Sequence, residues 1–169
     1  EIAVISLGDI VTAQSLRVAG DDLDESIINY MRKKHNLLIG ERTAEQIKID
    51  IGSAKEYDGE TSIEIKGRNV VDGLPKNVTI TSAEIRTAML DTVYQIIDAI
   101  RSTLEKTPPE LAADIIDSGI TLTGGGSQLG GLCQFIESRT GIPCTVGDDP
   151  DSCVAYGCGL SLNWINHMK

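Results

Sequence analysis

The segment Leu122-Thr-Gly-Gly-Gly-Ser-Gln-Leu-Gly-Gly-Leu132 places five glycines in eleven residues, between a predicted strand at Ile120–Thr123 and a predicted helix over about 128–140. A strand that enters a helix through so little side chain belongs to a layered α/β arrangement, where backbones approach closely at the turn. The flanking sequence repeats that alternation. Thr107-Pro-Pro-Glu110 caps a helix, with Pro108 at the tolerated first position, and Ser118-Gly119 ends it. Gly141 closes the helix after the cluster, Ile142–Val146 reads as the next strand, and a last helix spans about 150–165. Gly157 and Gly159 in that helix each cost about 1 kcal/mol against alanine, which predicts a close helix–sheet contact there.

The first two-thirds has a different rhythm. Glu1–Leu7 reads as a strand, Gly8-Asp9 as a turn and Ile10–Val18 as the returning strand. A chain that opens inside a strand, with no methionine, predicts a piece of a longer protein. Asp21-Asp22 cap a helix with Leu23, Ile27, Ile28 and Met31 on one face. Leu37–Gly40 reads as a loop, and Thr43-Ala-Glu-Gln46 matches a capping box for a second helix that stops at Gly52. Ile63 and Ile65 alternate with Glu64 and Lys66, Asp72-Gly-Leu-Pro75 marks a turn, and Val78–Ile80 is a short strand. Thr81-Ser-Ala-Glu84 opens the longest helix, whose Ile85, Met89, Val93, Ile96, Ile97, Ile100 and Leu104 share a face. The pattern predicts two lobes, one of them built from both ends of the chain.

Composition narrows the functions available. A hydrophobic content of 41% in 169 residues supports a packed core, and one Trp and one Phe leave that core to aliphatic side chains. A net charge of −10 argues against a nucleic-acid partner, because no basic stripe is present to displace counterions from phosphates. Arg32-Lys33-Lys34 instead complements the dipole at a helix C-terminus. No apolar run approaches the ~18 residues of a membrane span. The cysteines, Cys133, Cys144, Cys153 and Cys158, form no C-x2-C pair, and neither His35 nor His167 stands at ligand spacing, so no metal site is expected. They read as small buried hydrophobes in a reducing compartment, which predicts a cytoplasmic protein.

The glycine cluster fails both common phosphate loops. G-x-G-x-x-G begins at Gly124 and Gly126 but meets Leu129 at the third position, and Gly130-Gly131 is followed by Leu132, not by Lys and Ser or Thr. On the cluster alone, a tight strand–helix turn and a ligand cradle both remain open. Glu45-Gln-Ile-Lys48 places an acid and a base three apart on one helix face, which by itself reads as an exposed pair worth ~0.3 kcal/mol.

Taken in order, "EIAVISLGDIV", "DESIINYMRKKHNLLIGERTAEQIK", "VVDGLPKNVTITSAEIR", "LTGGGSQLGGL" and "GIPCTVGDDPDSCVAYGCG" resemble the actin, sugar-kinase and chaperone superfamily. Within it they resemble the bacterial rod-shape-determining proteins of the MreB type, over nearly the whole chain. The resemblance implies an actin-like, ribonuclease-H-like α/β domain with an inserted smaller α+β subdomain. Residues 1–20 and 92–169 would form the inner subdomain and residues 21–91 the outer one. It implies ATP, with magnesium in the full-length protein, bound in a cleft between two domains of which this chain is the second. Glu45, Gln46, Ile47 and Lys48 would line the nucleoside, the acid on the ribose hydroxyls and the lysine stem beside the adenine. Gly124, Gly125, Gly126, Ser127 and Gln128 would pass its other side, where bulkier residues collide with the ligand. Catalytic residues are expected outside this chain, so the chain alone neither hydrolyses ATP nor binds it tightly.

Further implications concern partners. The resemblance implies head-to-tail filaments at the inner face of the cell membrane, directing cell shape with cell-wall elongation and membrane-anchored shape proteins. Membrane contact would run through elements outside this chain. A kinase or a chaperone-type ATPase of the same superfamily is the alternative. Asp9 in the hairpin turn and Ser127-Gln128 after the glycines depart from the family pattern.

Overall fold

The structure, a computed structural model, describes residues 1–162. Strands β1 (Ile2–Ser6) and β2 (Asp9–Gln14) form an antiparallel hairpin with Ile2 opposite Gln14 and an irregularity at Val4/Ile5. Leu7 and Gly8 make its turn, both at positive φ. Strand β2 ends four residues before the expected Val18. Helix α1 (Gly20–His35) starts as its acidic residues direct: the Asp22 carboxylate accepts the Ala19 N–H at 2.7 Å. Asn36, left-handed at φ 52°, ends it.

Leu37–Leu38, expected as loop, is strand β3 and pairs with Asn69 and Arg68 of β4 (Ser62–Asn69). Leu37 is fully buried, and a buried backbone needs the partners that a sheet edge offers. Helix α2 (Glu41–Ile51) begins two residues before Thr43, because the Gly40 carbonyl takes the N–H groups of Thr43 and Ala44. Strands β4 and β5 (Pro75–Thr81) complete a three-stranded sheet in the order β3-β4-β5. The capping box at Thr81 forms as expected: its hydroxyl takes the Glu84 N–H at 3.3 Å and Glu84 takes the Thr81 N–H at 3.0 Å.

Helix α3 (Ser82–Glu105) is the spine, burying Ile85, Met89, Val93, Ile97 and Ile100 along one face. Around it, Ile27 and Met31 of α1, Ile47 of α2, Ile80 of β5 and Ile136 close a single core. Each such side chain contributes about 1.5–3 kcal/mol of burial. In helix α4 (Pro109–Ser118) Pro109 and not Pro108 takes the first helical position, and no residue of the helix is buried. Strand β6 (Ile120–Leu122) pairs in parallel with β7 (Cys144–Val146), and α5 (Leu132–Thr140) connects them.

Helix α6 (Cys153–Ser161) also buries nothing, and no atom approaches Gly157 or Gly159 within 4 Å of where a Cβ would stand. The expected close helix–sheet contact is therefore absent among the described residues. The expected end of that helix near Ile165 lies outside them.

Candidate functional site

The glycine segment divides into two parts with different physical demands. Gly124 sits at φ 84° and ψ 163°, a region essentially closed to residues with a side chain. Residues Gly125–Gln128 then wind as a 3-10 turn, so α5 starts at Leu132, four residues later than expected. That turn is fixed from outside: Pro150 O accepts the Gly124 N–H at 2.8 Å, and Gln128 Nε2 donates to Asp151 Oδ2 at 2.8 Å. From inside, the buried Ser127 hydroxyl donates to Gly124 O at 2.6 Å. At Gly124 and Gly126 an added Cβ would point into open space, and at Gly125 it would stand 3.2 Å from Asp151 Oδ1. The backbone there is uncovered, as a ligand-facing strip must be.

Gly130 and Gly131 do a different job. A Cβ on Gly130 would lie 3.2 Å from Gly52 O, and one on Gly131 3.0 Å from Lys55 Cβ. Gly130 O accepts the Ala54 N–H at 2.7 Å, and Ser53 bridges Gly130 in parallel. These glycines let the end of α2 dock directly on the glycine segment, which joins the two regions singled out in the sequence.

On α2, Glu45 and Gln46 are exposed, and Gln46 donates to Asp50 one turn on at 2.8 Å. Ile47 points the other way, into the core. Lys48 does not pair with Glu45. Its ammonium lies 2.8 Å from Asp24 Oδ2 and 3.2 Å from Gly20 O, with the lysine and aspartate side chains only 17% and 11% exposed. Asp24 Oδ1 is buried with no hydrogen-bond partner among the described residues. Asp24 and Asp151 were not visible as site residues in the sequence. Asp24 stands 24 residues from Lys48, and nothing in its own helix marks it; Asp151 had a weak signal in the acidic run Asp148–Asp151. No group of three potential metal ligands converges among the described residues, and no described helix is long and apolar enough to cross a membrane.

A hairpin, a helical insert with its own sheet, and a parallel pair joined through a glycine turn define an actin-like α/β fold. The chain aligns at TM-score 0.92 and 40% identity with MreB5 of Spiroplasma citri, in a crystal structure bound to ADP, over 96% of this chain and 50% of that one. The same protein bound to AMPPNP gives TM-score 0.92 over 98% of this chain. Residues 1–169 match the family described as MreB/Mbl protein, and the chain belongs to that family.

Among curated relatives it is 46% identical over 168 residues to the cell shape-determining protein Mbl of Bacillus subtilis, covering 99% of this chain and 50% of the relative. It is also 46% identical over 166 residues to the cell shape-determining protein MreB of Escherichia coli, covering 98% and 48%. The chain thus spans about half the length of the curated relatives it matches.

Proposed function

We propose that this chain is the half of a cell-shape protein that supplies one wall of an ATP cleft and part of a head-to-tail filament. The observation that carries the reading is the 0.92 alignment, over 96% of the chain, with a relative crystallised with ADP. The local chemistry agrees with it. Glu45 is free to accept hydrogen bonds from two ribose hydroxyls. Lys48 has its ammonium held by Asp24 and Gly20 O, so its methylene stem, and not its charge, is what it offers to a flat base. The uncovered backbone at Gly124–Gly126 leaves room for the nucleoside and α-phosphate, with Ser127 and Gln128 fixing the turn.

The described residues provide no convergent carboxylates for an all-protein magnesium cage, so no role toward the ion is assigned to them. The reading includes two lobes, residues 1–20 with 92–169 and residues 21–91, with α3 crossing the boundary as one helix. It places the filament in the cytoplasm at the inner face of the membrane, together with cell-wall elongation proteins. Titration of the full-length protein with ADP tests the cleft. Gly124→Val and Glu45→Ala should each weaken binding about tenfold, or ~1.4 kcal/mol. Unchanged affinity in both variants would remove these residues from the site.

A further inference from the structure

Spacing along the chain reads all four cysteines as small buried hydrophobes, but the fold treats them differently. Cys144 is buried, Cys133 and Cys153 are half-buried and Cys158 is exposed. Cys133 lies in the first turn of α5, and Cys144 opens β7 eleven residues on. Their sulfurs stand 3.4 Å apart, with the Cys144 thiol donating to Cys133 Sγ. Among the described residues this is the one pair of sulfurs within hydrogen-bond distance.

Both partners of that contact are held in place by the surrounding structure. Glu137 lies one turn after Cys133 on the same face of α5, and its Oε1 accepts the Cys144 N–H at 2.8 Å. On the other side β7 is fixed by β6, with Cys144 opposite Ile120. Leu132, Phe135 and Ile136 of α5 share the buried core with Cys144, and Cys133 packs against it. The two thiols are therefore aimed at each other before any bond forms. A structural zinc site takes about four ligands, and no group of three converges among the described residues. What the geometry offers is chemistry between the two thiols themselves.

We infer that Cys133 and Cys144 are an oxidant-responsive pair, converted by a peroxide into a disulfide that clamps α5 to β7. Cys133 is the sulfur that meets the oxidant, being the more exposed of the two and the acceptor of the hydrogen bond. Its attack on one peroxide oxygen breaks the O–O bond and leaves a sulfenic acid and one water. Cys144 then displaces the hydroxyl from that sulfur, and its own proton leaves with the hydroxyl as a second water. The two thiols lose two electrons and the peroxide accepts them. Burial pushes the Cys144 thiol up to about 12, which suits the second step and not the first attack. Neither thiol belongs to the proposed cleft, and the closed loop, 133–144, leaves the glycine turn outside it.

Peptide mapping without reductant, after the folded full-length protein is treated with hydrogen peroxide, reads the product directly. One cross-linked peptide containing Cys133 and Cys144 is expected, returned to two thiols by dithiothreitol. In urea that pairing should lose its preference, because the fold no longer holds the sulfurs together. Separate oxidation of the two thiols, bridges from either to another cysteine, or equal pairing in urea overturns the inference.

Thermal unfolding tests the clamp with no substitution at all. The oxidised protein should melt roughly 3 °C higher or more, and dithiothreitol should reverse the shift. An unchanged or lower midpoint contradicts a clamp. Two variants then separate the sulfurs. Cys144→Ala should stop at a sulfenic acid on Cys133, trapped by dimedone, whereas Cys133→Ala should leave Cys144 reduced. Dimedone trapped on Cys144 in the second variant would overturn the order of the two steps.

Discussion

Lys48 and Asp24 join α2 to α1 through an ion pair that is mostly shielded from water. Removing one charge leaves the other buried and unpaired, a loss of about 3 kcal/mol. Lys48→Met should therefore lower the urea midpoint strongly, while Lys48→Met with Asp24→Leu should recover most of the loss. Equal damage from both variants would show that packing, and not charge, holds the junction. Cys144 is a second residue whose surroundings decide its chemistry. Burial first, then the hydrogen bond to Cys133 Sγ at 3.4 Å, push its thiol up from 9.0 to about 12. The protonated form is the one the fold favours. Its contribution is complete below pH 9 and is lost as pH rises through about 12. Disulfide-exchange labelling at pH 8 should accordingly modify the exposed Cys158 well before Cys144; equal rates would contradict the buried placement.

At the scale of elements, local signals that act within a few residues were legible, and those that act across the fold were not. The Thr81 capping box, the α3 stripe and the Gly119 and Gly141 stops stand where the sequence puts them, whereas β5 starts at Pro75, paired with Arg68, and not at Val78. Strand β3 was not legible, because two leucines carry no period and become a strand only when β4 is beside them. The start of α5 was misplaced because the 3-10 turn at Gly125–Gln128 is held by Asp151 and Pro150, which lie more than twenty residues away. The site followed the same division. The sequence singles out the glycines and α2 as candidates, but the pairing of Lys48 with Asp24 is a tertiary fact.

Thr81→Ala should cost about 1 kcal/mol by removing the cap acceptor, measured by denaturant unfolding. Gly124→Ala should cost about 1–3 kcal/mol because its backbone region excludes a Cβ, even though the space around it is open. A neutral Gly124→Ala would mean that the turn relaxes.

For the whole molecule, two carboxylates link stability to pH. Hydrogen bonds from Ser82 and then Arg86 hold Glu60 below the usual 4.5. At Glu84 burial acts to raise the value, but the hydrogen bonds from Lys34 and the Thr81 N–H outweigh it and the net direction is down. Both groups therefore favour the fold above the ordinary carboxylate range, and that support disappears as pH falls through their lowered values. The melting temperature should fall as pH drops below about 4.5, and Glu84→Gln should flatten that dependence.

On the proposed reading the chain supplies one wall of a nucleotide cleft, and helices α4 and α6 have no buried residue among those described. We propose that the full-length protein forms filaments gated by nucleotide. Electron microscopy of the full-length protein with and without ATP tests this most directly. Filaments that depend on nucleotide are expected; a monodisperse monomer that phosphorylates a sugar would contradict that assignment.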